Sequence, residues 1–296
     1  MSAPPAILVH SREDDIHAAA MIWGLERLGR RCVFWPSGKF PAEQALSLAV
    51  GSIGDRAATP TIEADRRMLP AANTVWNRRP HRPKPSPSLC ESEQEFVDIE
   101  SSTFLRAMMR LLSPEALWIN PPHVAETDSY KPLQLSLAAK AGFRVPETLF
   151  SNDPDAIAEF YRRHKGEVVY KCFRANAWTL DDGSGRIYAM NRTVPVLPED
   201  LEQRDALAAA PGIFQHRIEK AFELRVTAMG RTLIAARIDS QKHEATREDW
   251  RSAQHLLEIA PFALPEEIAE KCRCYMRAAG LNFGCFDVIV TPEGEY

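Results

Sequence analysis

The sequence predicts a mixed fold in which an α/β half is followed by an α+β half. Two observations carry this prediction. Between residues 6 and 120, short apolar runs alternate with segments long enough for helices, which is typical of parallel strands joined by helices. After residue 120, closely spaced strand patterns with turns between them predict antiparallel hairpins, and the clearest one spans residues 223–240.

The first half begins with a βαβ unit. Residues 6–10 (AILVH) predict a buried strand, residues 13–29 predict a helix that ends at Gly29, and residues 31–35 (RCVFW) predict the next strand. Two strands joined through a helix of this length pair in parallel. The remaining elements of this small doubly wound domain are a strand at 74–79, a helix at 92–112 and a strand at 116–120.

A proline-rich basic segment, residues 78–88 (RRPHRPKPSPS), follows the strand at 74–79. Its prolines exclude a helix interior and a central strand, so the segment is predicted to be a loop. The positive charge would suit an acidic partner. A solvated connection is the more common role of such a loop, and we favour it on the sequence alone.

The second half changes pattern after the boundary at residues 120–123 (NPPH). The terminal strand, residues 286–290, is followed by a turn at 291–294, after which Glu295 and Tyr296 are expected to begin a return strand. The other predicted elements are helices at 133–141, 155–164, 198–209 and 265–279, strands at 167–173, 178–190 (two strands around a turn) and 212–219, and a hairpin at 223–240.

Composition excludes several classes of partner. The 296 residues are 45% hydrophobic and 26% charged, as in ordinary globular proteins, and 36 basic against 40 acidic side chains give a net charge of −4. This balance predicts neither nucleic acid nor an anionic membrane as a partner. No segment is long and apolar enough for a membrane span, and the N-terminus does not resemble a signal peptide.

The six cysteines are scattered, and only Cys272 and Cys274 are close together. One C-x-C pair without a second pair is poor evidence for a zinc site. Scattered cysteines in a chain of this length fit the reducing cytosol better than a disulfide scaffold. We therefore expect a cytoplasmic protein.

Two lysines are candidates for binding an anion. Lys171 lies in the apolar strand VVYKCF, where it either faces solvent or points into a cleft toward an anion, because burying an unpaired ammonium is costly. Lys131 precedes a helix and could reach a phosphate, although a surface lysine is the commoner explanation when it is taken alone.

The hairpin and the terminal strand carry charges inside apolar patterns. Alternation places Glu223, Arg225 and Thr227 on one face of the first hairpin strand, with Leu224, Val226 and Ala228 on the other. Charges of both signs on one sheet face suit an anionic substrate with a metal, or else a solvated, salt-bridged face.

Arg237 and Asp239 share a face of the return strand. Asp287 lies within the apolar run CFDVIV, so it needs a cation, a set of donors or a raised pKa unless it is exposed. Mg²⁺ would serve, since it accepts carboxylate oxygens together with nucleotide phosphate oxygens.

Taken in order, these segments resemble the ATP-grasp ligases that macrocyclise ribosomally made peptides, the microviridin or graspetide type. The resemblance covers most of the chain and implies an ATP-grasp fold. The implied parts are an N-terminal Rossmann-like (pre-ATP-grasp) domain at 1–120, a central subdomain at 121–211 and a C-terminal subdomain at 212–296. The segments that carry it are 75–80 (VWNRRP), 119–153, 168–173 (VVYKCF), 214–241, 248–251 (EDWR) and 280–296.

The resemblance implies ATP and Mg²⁺ as cofactors and assigns residues to the nucleotide. Lys131 and Lys171 would hold the ATP phosphates, and Glu223 would hold the ribose hydroxyls. The linker between the two halves of the grasp would read the adenine edge through its backbone, and its residues are Gln215, His216, Arg217 and Ile218.

The remaining implied roles concern the reaction itself. Arg225, with Lys171, would act at the transferred phosphate, Arg251 would contact the substrate peptide, and Asp287 would be the first Mg²⁺ carboxylate. The implied activity forms intramolecular esters or amides in a precursor peptide, whose leader and core would be the partners. The oligomeric state, a homodimer included, is left open.

Two departures from the family pattern are expected to matter. The segment after Lys171, FRANAW, has no glycine, so Arg174 and Asn176 would cover the phosphates in place of a glycine-rich loop. The family continues past the terminal turn into a strand with a Glu-x-Asn pair that completes the metal site, whereas this sequence ends at Tyr296. We therefore expect either a fragment or a chain that is not a competent ligase.

Two alternatives to a cross-linking ligase stay open at this point. One is an ATP-grasp ligase that adds amino acids to a small molecule or a protein tail. The other is a non-catalytic binder of nucleotide or leader peptide.

Overall fold

The computed structural model describes residues 6–53, 56–57, 61–64, 67–69, 72–128, 130–173, 176–179, 187–190 and 193–296. The chain divides into two compact units, Met1–Glu126 and Thr127–Tyr296. Among the described residues, no helix has both the length and the apolar content needed to cross a bilayer. Arg174 and the side chain of Asn176, the expected cover of the phosphates, lie outside the described part.

The first unit contains short strands and a few helices. Up to residue 128 the helices are α1 (Ile16–Arg27), α2 (Glu91–Leu111) and α3 (Pro122–Asp128). The strands are β1 (Ala6–Ser11), β2 (Cys32–Pro36), β3 (Leu46–Ala49), β4 (Ser52–Ile53), β5 (Arg56–Ala57), β6 (Thr61–Ala64), β7 (Arg67–Met68), β8 (Ala72–Asn77) and β9 (Leu117–Ile119).

The main sheet of this unit has the strand order β2-β1-β8-β9, and all of its pairs are parallel. The predicted βαβ unit is therefore confirmed. Helix α1 begins where the Asp15 carboxylate accepts the backbone N–H groups of His17 and Ala18. The core packs α2 against the sheet, and its fully buried members include Leu8, Val75 and Met108.

The structure also contains small sheets that the sequence patterns do not predict. Between β2 and β8, the strands β3, β6 and β7 form an antiparallel sheet, and β4 pairs with β5. Strands of two to four residues are too short to show a period of two. The predicted loop at 78–88 is confirmed, with one isolated bridge between Pro41 and Lys84.

The second unit has longer strands. Its helices are α4 (Lys131–Lys140), α5 (Pro154–Arg163), α6 (Arg204–Ala209) and α7 (Glu266–Ala279), with 3₁₀ turns at Pro198–Glu202, Ser240–Lys242, Glu244–Thr246 and Trp250–Leu256. Its strands are β10 (Thr148–Ser151), β11 (Val168–Lys171), β12 (Asn176–Thr179), β13 (Ile187–Met190), β14 (Val194–Pro195), β15 (Gly212–His216), β16 (Phe222–Met229), β17 (Thr232–Ile238), β18 (Ile259–Phe262) and β19 (Phe283–Val290).

Two four-stranded antiparallel sheets organise this unit. One has the order β10-β15-β11-β14 and the other β18-β17-β16-β19. The two strands predicted at 178–190 are β12 and β13, which pair with each other, while the turn predicted between them lies outside the described residues. The helix predicted at 198–209 is divided into a 3₁₀ turn and α6.

The predicted hairpin is formed by β16 and β17, and the turn contains Gly230 at φ +56°. Leu224, Val226 and Ala228 are fully buried, whereas Arg225 and Thr227 are partly exposed. The alternation predicted from the sequence therefore determines which side chains are free to meet a ligand.

At the C-terminal end, α7 stops at Gly280, which has φ +68°, and β19 begins three residues before the predicted start. The predicted turn is present, since Gly294 donates its backbone N–H to the Thr291 carbonyl at 2.9 Å. Glu295 and Tyr296 do not form a strand. The Tyr296 side chain packs instead against the cluster that contains Val288.

Candidate functional site

The centre of the candidate site is an ion pair on the exposed side of the β16–β19 pairing. Arg225 and Asp287 are register partners on these strands, and Arg225 Nη1 lies 2.8 Å from Asp287 Oδ1. Their side chains are 38% and 41% exposed, so a ligand in solvent can reach both. Burial pushes the Arg225 pKa down, but the charge and hydrogen bond of Asp287, together with smaller contributions from Cys285, outweigh burial and raise the pKa.

Lys171 ends β11 and is held by a chain of hydrogen bonds across its sheet. Its Nζ donates to Gln215 Oε1 at 2.6 Å, and Gln215 Nε2 donates to Thr148 Oγ1 at 2.9 Å. Gln215 is buried on β15, between the strands that carry Lys171 and Thr148. The lysine head is thus fixed in place before any ligand arrives.

Several cations converge on Lys171. Burial lowers its pKa, and the positive charges of Lys220, Arg251 and Lys131 lower it further, while Asp249 opposes them. Like charges gathered around a half-buried ammonium are unfavourable unless an anion joins them. The arrangement therefore favours a ligand with several negative charges.

Glu223 is buried on β16 beside Lys220. Lys220 Nζ donates to Glu223 Oε1 at 3.0 Å and to the Glu248 carbonyl at 3.2 Å, and both paired side chains are only about one-tenth exposed. Glu223 is therefore an oriented acceptor at the margin of the cationic cluster.

Arg251 is oriented by a buried carboxylate. Its Nε and Nη2 donate to the two oxygens of Asp249 at 2.8 and 3.0 Å, and the Asp249 side chain is 2% exposed. Burial alone would raise the Asp249 pKa, but the hydrogen bonds and charge of Arg251 lower it. The Arg251 pKa is raised chiefly by Asp249, with smaller contributions from the charges of Asp287 and Glu223. Arg251 therefore interacts electrostatically with two of the predicted site residues.

Lys131 adds its charge to this cluster but makes its hydrogen bond outside it, and two other predicted residues, His216 and Arg217, stand apart. Lys131 is exposed and donates to Gln134 Oε1 at 3.2 Å. Arg217 is paired with Glu167 and Glu248, and the His216 ring stacks on the His164 ring with 4.5 Å between centroids.

The linker backbone is partly engaged within the fold. The amide N–H groups of His216 and Arg217 donate to the carbonyls of Glu147 and Glu167, both at 2.9 Å. Of the four predicted linker residues, these two therefore have only their carbonyls to offer an adenine. The half-buried Ile218 follows them outside any strand.

The metal requirement can be tested on the donor set. Among the described residues, no group of three or more His, Cys, Asp or Glu side chains converges as a metal site. Mg²⁺ is commonly held by one or two carboxylates with the remaining oxygens from phosphates and water. Asp287 alone therefore fits such an ion when a polyphosphate is bound, provided that Arg225 gives up its contact.

Sequence reasoning missed three contributors to this site. Lys220 and Asp249 were not predicted, and Gln215 was assigned a backbone role although its side chain holds Lys171. Local spacing carried a signal for two of them, since Asp249 lies two residues before Arg251 and Lys220 lies three residues before Glu223. Cys285 was also missed; its exposed thiol lies 3.8 Å from Thr227 Oγ1.

Comparison with solved structures gives extensive matches. A Chryseobacterium gregarium RiPP-associated ATP-grasp ligase in complex with ADP, and a leader and core peptide, matches with a TM-score of 0.86 and 27% identity over 99% of this chain and 87% of that one. The macrocyclase MdnC bound with precursor peptide MdnA, from Microcystis aeruginosa MRC, matches with a TM-score of 0.81 and 28% identity, over 98% of this chain and 89% of that one.

A third structure, the macrocyclase MdnB from Microcystis aeruginosa MRC, matches with a TM-score of 0.78 and 26% identity, over 99% of this chain and 89% of that one. No family model and no curated protein matches the sequence. The predicted fold class is confirmed, because ligases of this kind share it across nearly the whole chain. Over nearly its whole length the chain is therefore similar to RiPP-associated ATP-grasp ligases.

Proposed function

We propose that the protein is an ATP-dependent ligase that cross-links side chains within a ribosomally made precursor peptide. The observation that carries this proposal is the convergence of Lys171, Lys220 and Arg251 near the Arg225–Asp287 pair. This cationic cluster suits the triphosphate of ATP, which brings several negative charges and many acceptor oxygens. A structural relative with ADP, leader and core peptide bound supports the peptide as the substrate.

The nucleotide is assigned to the residues around β11 and β15. Lys171 and Lys131 hold phosphate oxygens, and Gln215 keeps Lys171 in place through the 2.6 Å hydrogen bond. Glu223, fixed by Lys220, accepts the ribose hydroxyls. The adenine edge meets the linker from Gln215 to Ile218.

Asp287 is the residue assigned to hold Mg²⁺, together with phosphate oxygens. When bound, the ion supplies charge neutralisation at the phosphates. The residue beside it, Arg225, changes partner on nucleotide binding, because a guanidinium released from Asp287 can donate to a phosphate or acyl phosphate oxygen.

The proposed reaction has two steps. A side-chain carboxylate of the peptide attacks the terminal phosphorus of ATP, and the bond to the ADP oxygen breaks, which gives an acyl phosphate and ADP. A Ser or Thr hydroxyl or a Lys amine of the same peptide then attacks the acyl carbon, and phosphate leaves as the ester or amide forms. The protein's task is positioning and charge stabilisation, for which Lys171 and Arg225 suffice without a nucleophile of its own.

Arg251 is assigned to the peptide. Its guanidinium is held by the buried Asp249 while its side chain stays 58% exposed, so it can meet a peptide carboxylate without losing its orientation. We place the reaction in the cytoplasm, where ATP is available and where six cysteines that form no disulfide would persist.

The proposal is tested by incubating the protein with ATP, Mg²⁺ and a peptide that contains Asp or Glu together with Thr, Ser or Lys. Mass spectrometry should show the loss of one water per ring, matched by release of one ADP. Lys171→Ala should abolish this loss, and Lys140→Ala, at an exposed lysine at the end of α4, should not. ATP consumption with no change in any such peptide would count against the proposal.

The two alternatives give different readouts in the same assay. A ligase that adds amino acids would increase the substrate mass by whole residues. A non-catalytic binder would hold nucleotide without releasing ADP.

A further inference from the structure

The first unit presents an ordered basic loop, residues 78–84 (RRPHRPK), which we call the basic loop. Its first residue is anchored at the end of β1: the Arg78 backbone N–H donates to the His10 carbonyl at 2.9 Å, and Ser11 Oγ donates to the Arg78 carbonyl at 2.7 Å. Arg78 Nε also donates to Asp15 Oδ2 at 3.0 Å. The loop therefore leaves the sheet from a fixed point.

The far end of the basic loop is anchored as firmly. The His81 backbone N–H donates to Ser37 Oγ at 2.9 Å, and the Lys84 backbone N–H donates to the Phe40 carbonyl at 2.8 Å. Pro83 is buried, and Gly38 lets His81 approach so closely that a Cβ there would lie 2.9 Å from His81 Cβ. The backbone is thus held in place while the side chains of Arg79, Arg82 and Lys84 are exposed.

The exposed cations of the basic loop have no counter-ions among the described side chains. Arg78 is paired with the buried Asp15, but Arg79, Arg82 and Lys84 are exposed and form no ion pair with any described carboxylate. Three like charges held on a fixed backbone repel each other, and a flexible loop would let them separate. Holding them together suits an anionic ligand with more than one charge.

The backbone conformation of Arg79 is a further indication that its side chain has a function. Its φ is +42°, a left-handed conformation that costs an L-residue energy and that glycine adopts freely. An arginine at this position accepts a strained backbone conformation and in return places a guanidinium on the loop. Strained backbone at a residue with a free charged head is a common feature of ligand-binding sites.

The loop stands at a favourable place in the fold. From β1 the chain passes through α1 to β2 at one edge of the sheet, and from β8 it passes through α2 to β9 at the other edge. The direction in which strands are added to the sheet therefore reverses between β1 and β8. In open parallel sheets, ligands bind at the carboxyl ends of the two strands that flank such a switch. The basic loop begins directly after the carboxyl end of β8.

The occupant of the basic loop follows from its charge and from the proposed substrate. Carboxylate side chains of a peptide match exposed guanidinium and ammonium groups, which donate charge-assisted hydrogen bonds to them. A peptide rich in Asp and Glu can present several such groups along one extended chain.

We propose that the basic loop of the first unit is a docking site for the carboxylate side chains of an acidic peptide. This inference rests on the proposed function, in which a peptide carrying Asp or Glu is the substrate. Arg79, Arg82 and Lys84 make the carboxylate contacts, and the anchored backbone keeps them in register with an extended chain.

The test is fluorescence anisotropy with the full chain, without ATP, and a fluorescein-labelled synthetic peptide in which four Asp or Glu residues alternate with Thr. An isosteric peptide with Asn and Gln serves as the uncharged probe. The triple variant R79Q/R82Q/K84Q should weaken binding of the acidic peptide by about tenfold or more, because three charge-assisted contacts are lost. The control R30Q/R31Q/R110Q removes three exposed charges of the same unit that pair with no described carboxylate, and should change binding less than about twofold.

The single variant Arg79→Gly separates binding from stability. It removes a charge and relieves the left-handed strain, so the thermal midpoint should stay level or rise while affinity falls. Wild-type affinity for the acidic peptide should also decrease with salt, and the triple variant should lose most of this dependence. The Asn and Gln peptide should bind both proteins weakly and equally.

Several results would overturn the docking site. They are equal binding by the wild type and the triple variant, an equal loss in the control variant, or preference for a single-stranded oligonucleotide of the same charge. The docking proposal and the ligase proposal can be refuted independently of each other. If the triple variant still forms rings with unchanged KM for the peptide, docking is wrong and the ligase stands; if the loop binds acidic peptide but no water is lost, the ligase proposal falls and docking stands.

Discussion

Arg225 and Asp287 neutralise each other across neighbouring strands, with 2.8 Å between Nη1 and Oδ1. Both residues have proposed ligands, a phosphate for the arginine and Mg²⁺ for the aspartate. Before a nucleotide binds, each of the two charges is therefore neutralised by the other, and nucleotide binding separates the pair.

Asp287→Asn should abolish the Mg²⁺ dependence of ADP release while the protein stays folded. Because the two side chains are 38% and 41% exposed, solvent screens the pair, and its loss should cost less than about 1 kcal/mol of stability. The checks are ADP release against Mg²⁺ concentration and a thermal melt. Asp239→Asn, at a carboxylate paired with Arg237 and Lys242, is the control and should keep the wild-type metal response.

Lys171→Ala should weaken ADP binding by about tenfold or more, since a charge-assisted contact to phosphate is lost. The pH dependence gives a second test. Burial lowers the Lys171 pKa below its ordinary 10.5, so the ammonium is lost earlier as pH rises, and nucleotide affinity should fall through that lowered pKa. Calorimetric titration with ADP across alkaline pH measures it. Lys171→Arg, which does not titrate there, should remove the decline; a wild-type affinity that stays flat up to pH 10.5 would contradict the assignment.

His10 should make the first unit sensitive to acid. Burial lowers its pKa from 6.5 to about 4, and its Nδ1 lies 3.1 Å from the Trp35 carbonyl oxygen. Between these two values the unfolded chain binds a proton that the folded chain refuses, so stability is complete above pH 6.5 and decreases as pH falls toward 4. The full effect is up to about 3 kcal/mol. Urea midpoints at pH 7.5 and pH 5 for the wild type and His10→Gln measure it, and equal slopes for the two proteins would rule it out.

Two glycine substitutions should have opposite signs. A Cβ on Gly212 would lie 2.5 Å from Tyr170 Cε2, so Gly212→Ala should destabilise the protein by about 1–3 kcal/mol through overpacking beside Lys171. Gly24 lies within α1 with open space around its Cα, and Gly24→Ala should stabilise by roughly 0.5–1 kcal/mol. Chemical denaturation measures both, and a neutral Gly212→Ala would mean that the tyrosine ring moves aside freely.

The predictable parts of the fold are the strands and helices whose apolar residues recur with a regular period along the sequence. The faces of β16 largely follow from alternation, since Leu224, Val226 and Ala228 are buried and Arg225 and Thr227 lie between them on the other face. Glu223 departs from the pattern, because it shares the face of Arg225 and is nevertheless buried beside Lys220. Strand β18 escaped prediction because Pro261 interrupts its pattern; the structure places this strand at a sheet edge, where a missing N–H is tolerated.

The contacts within the site were less predictable. Lys171 and Gln215 are 44 positions apart, and nothing local in either segment says that their side chains meet. The alignment of Arg225 with Asp287 depends on the register of two strands separated by 62 positions. In contrast, the Asp249–Arg251 pair is local, and its spacing was available in the sequence.

Cys285 lies on β19 two residues before Asp287, with an exposed thiol beside Thr227. This position provides a native reporter of occupancy. A thiol reagent would modify it at a rate set by access to that edge of the sheet, and a bound nucleotide should slow the modification. Footprinting at one natural atom can thus follow ligand binding without an engineered label.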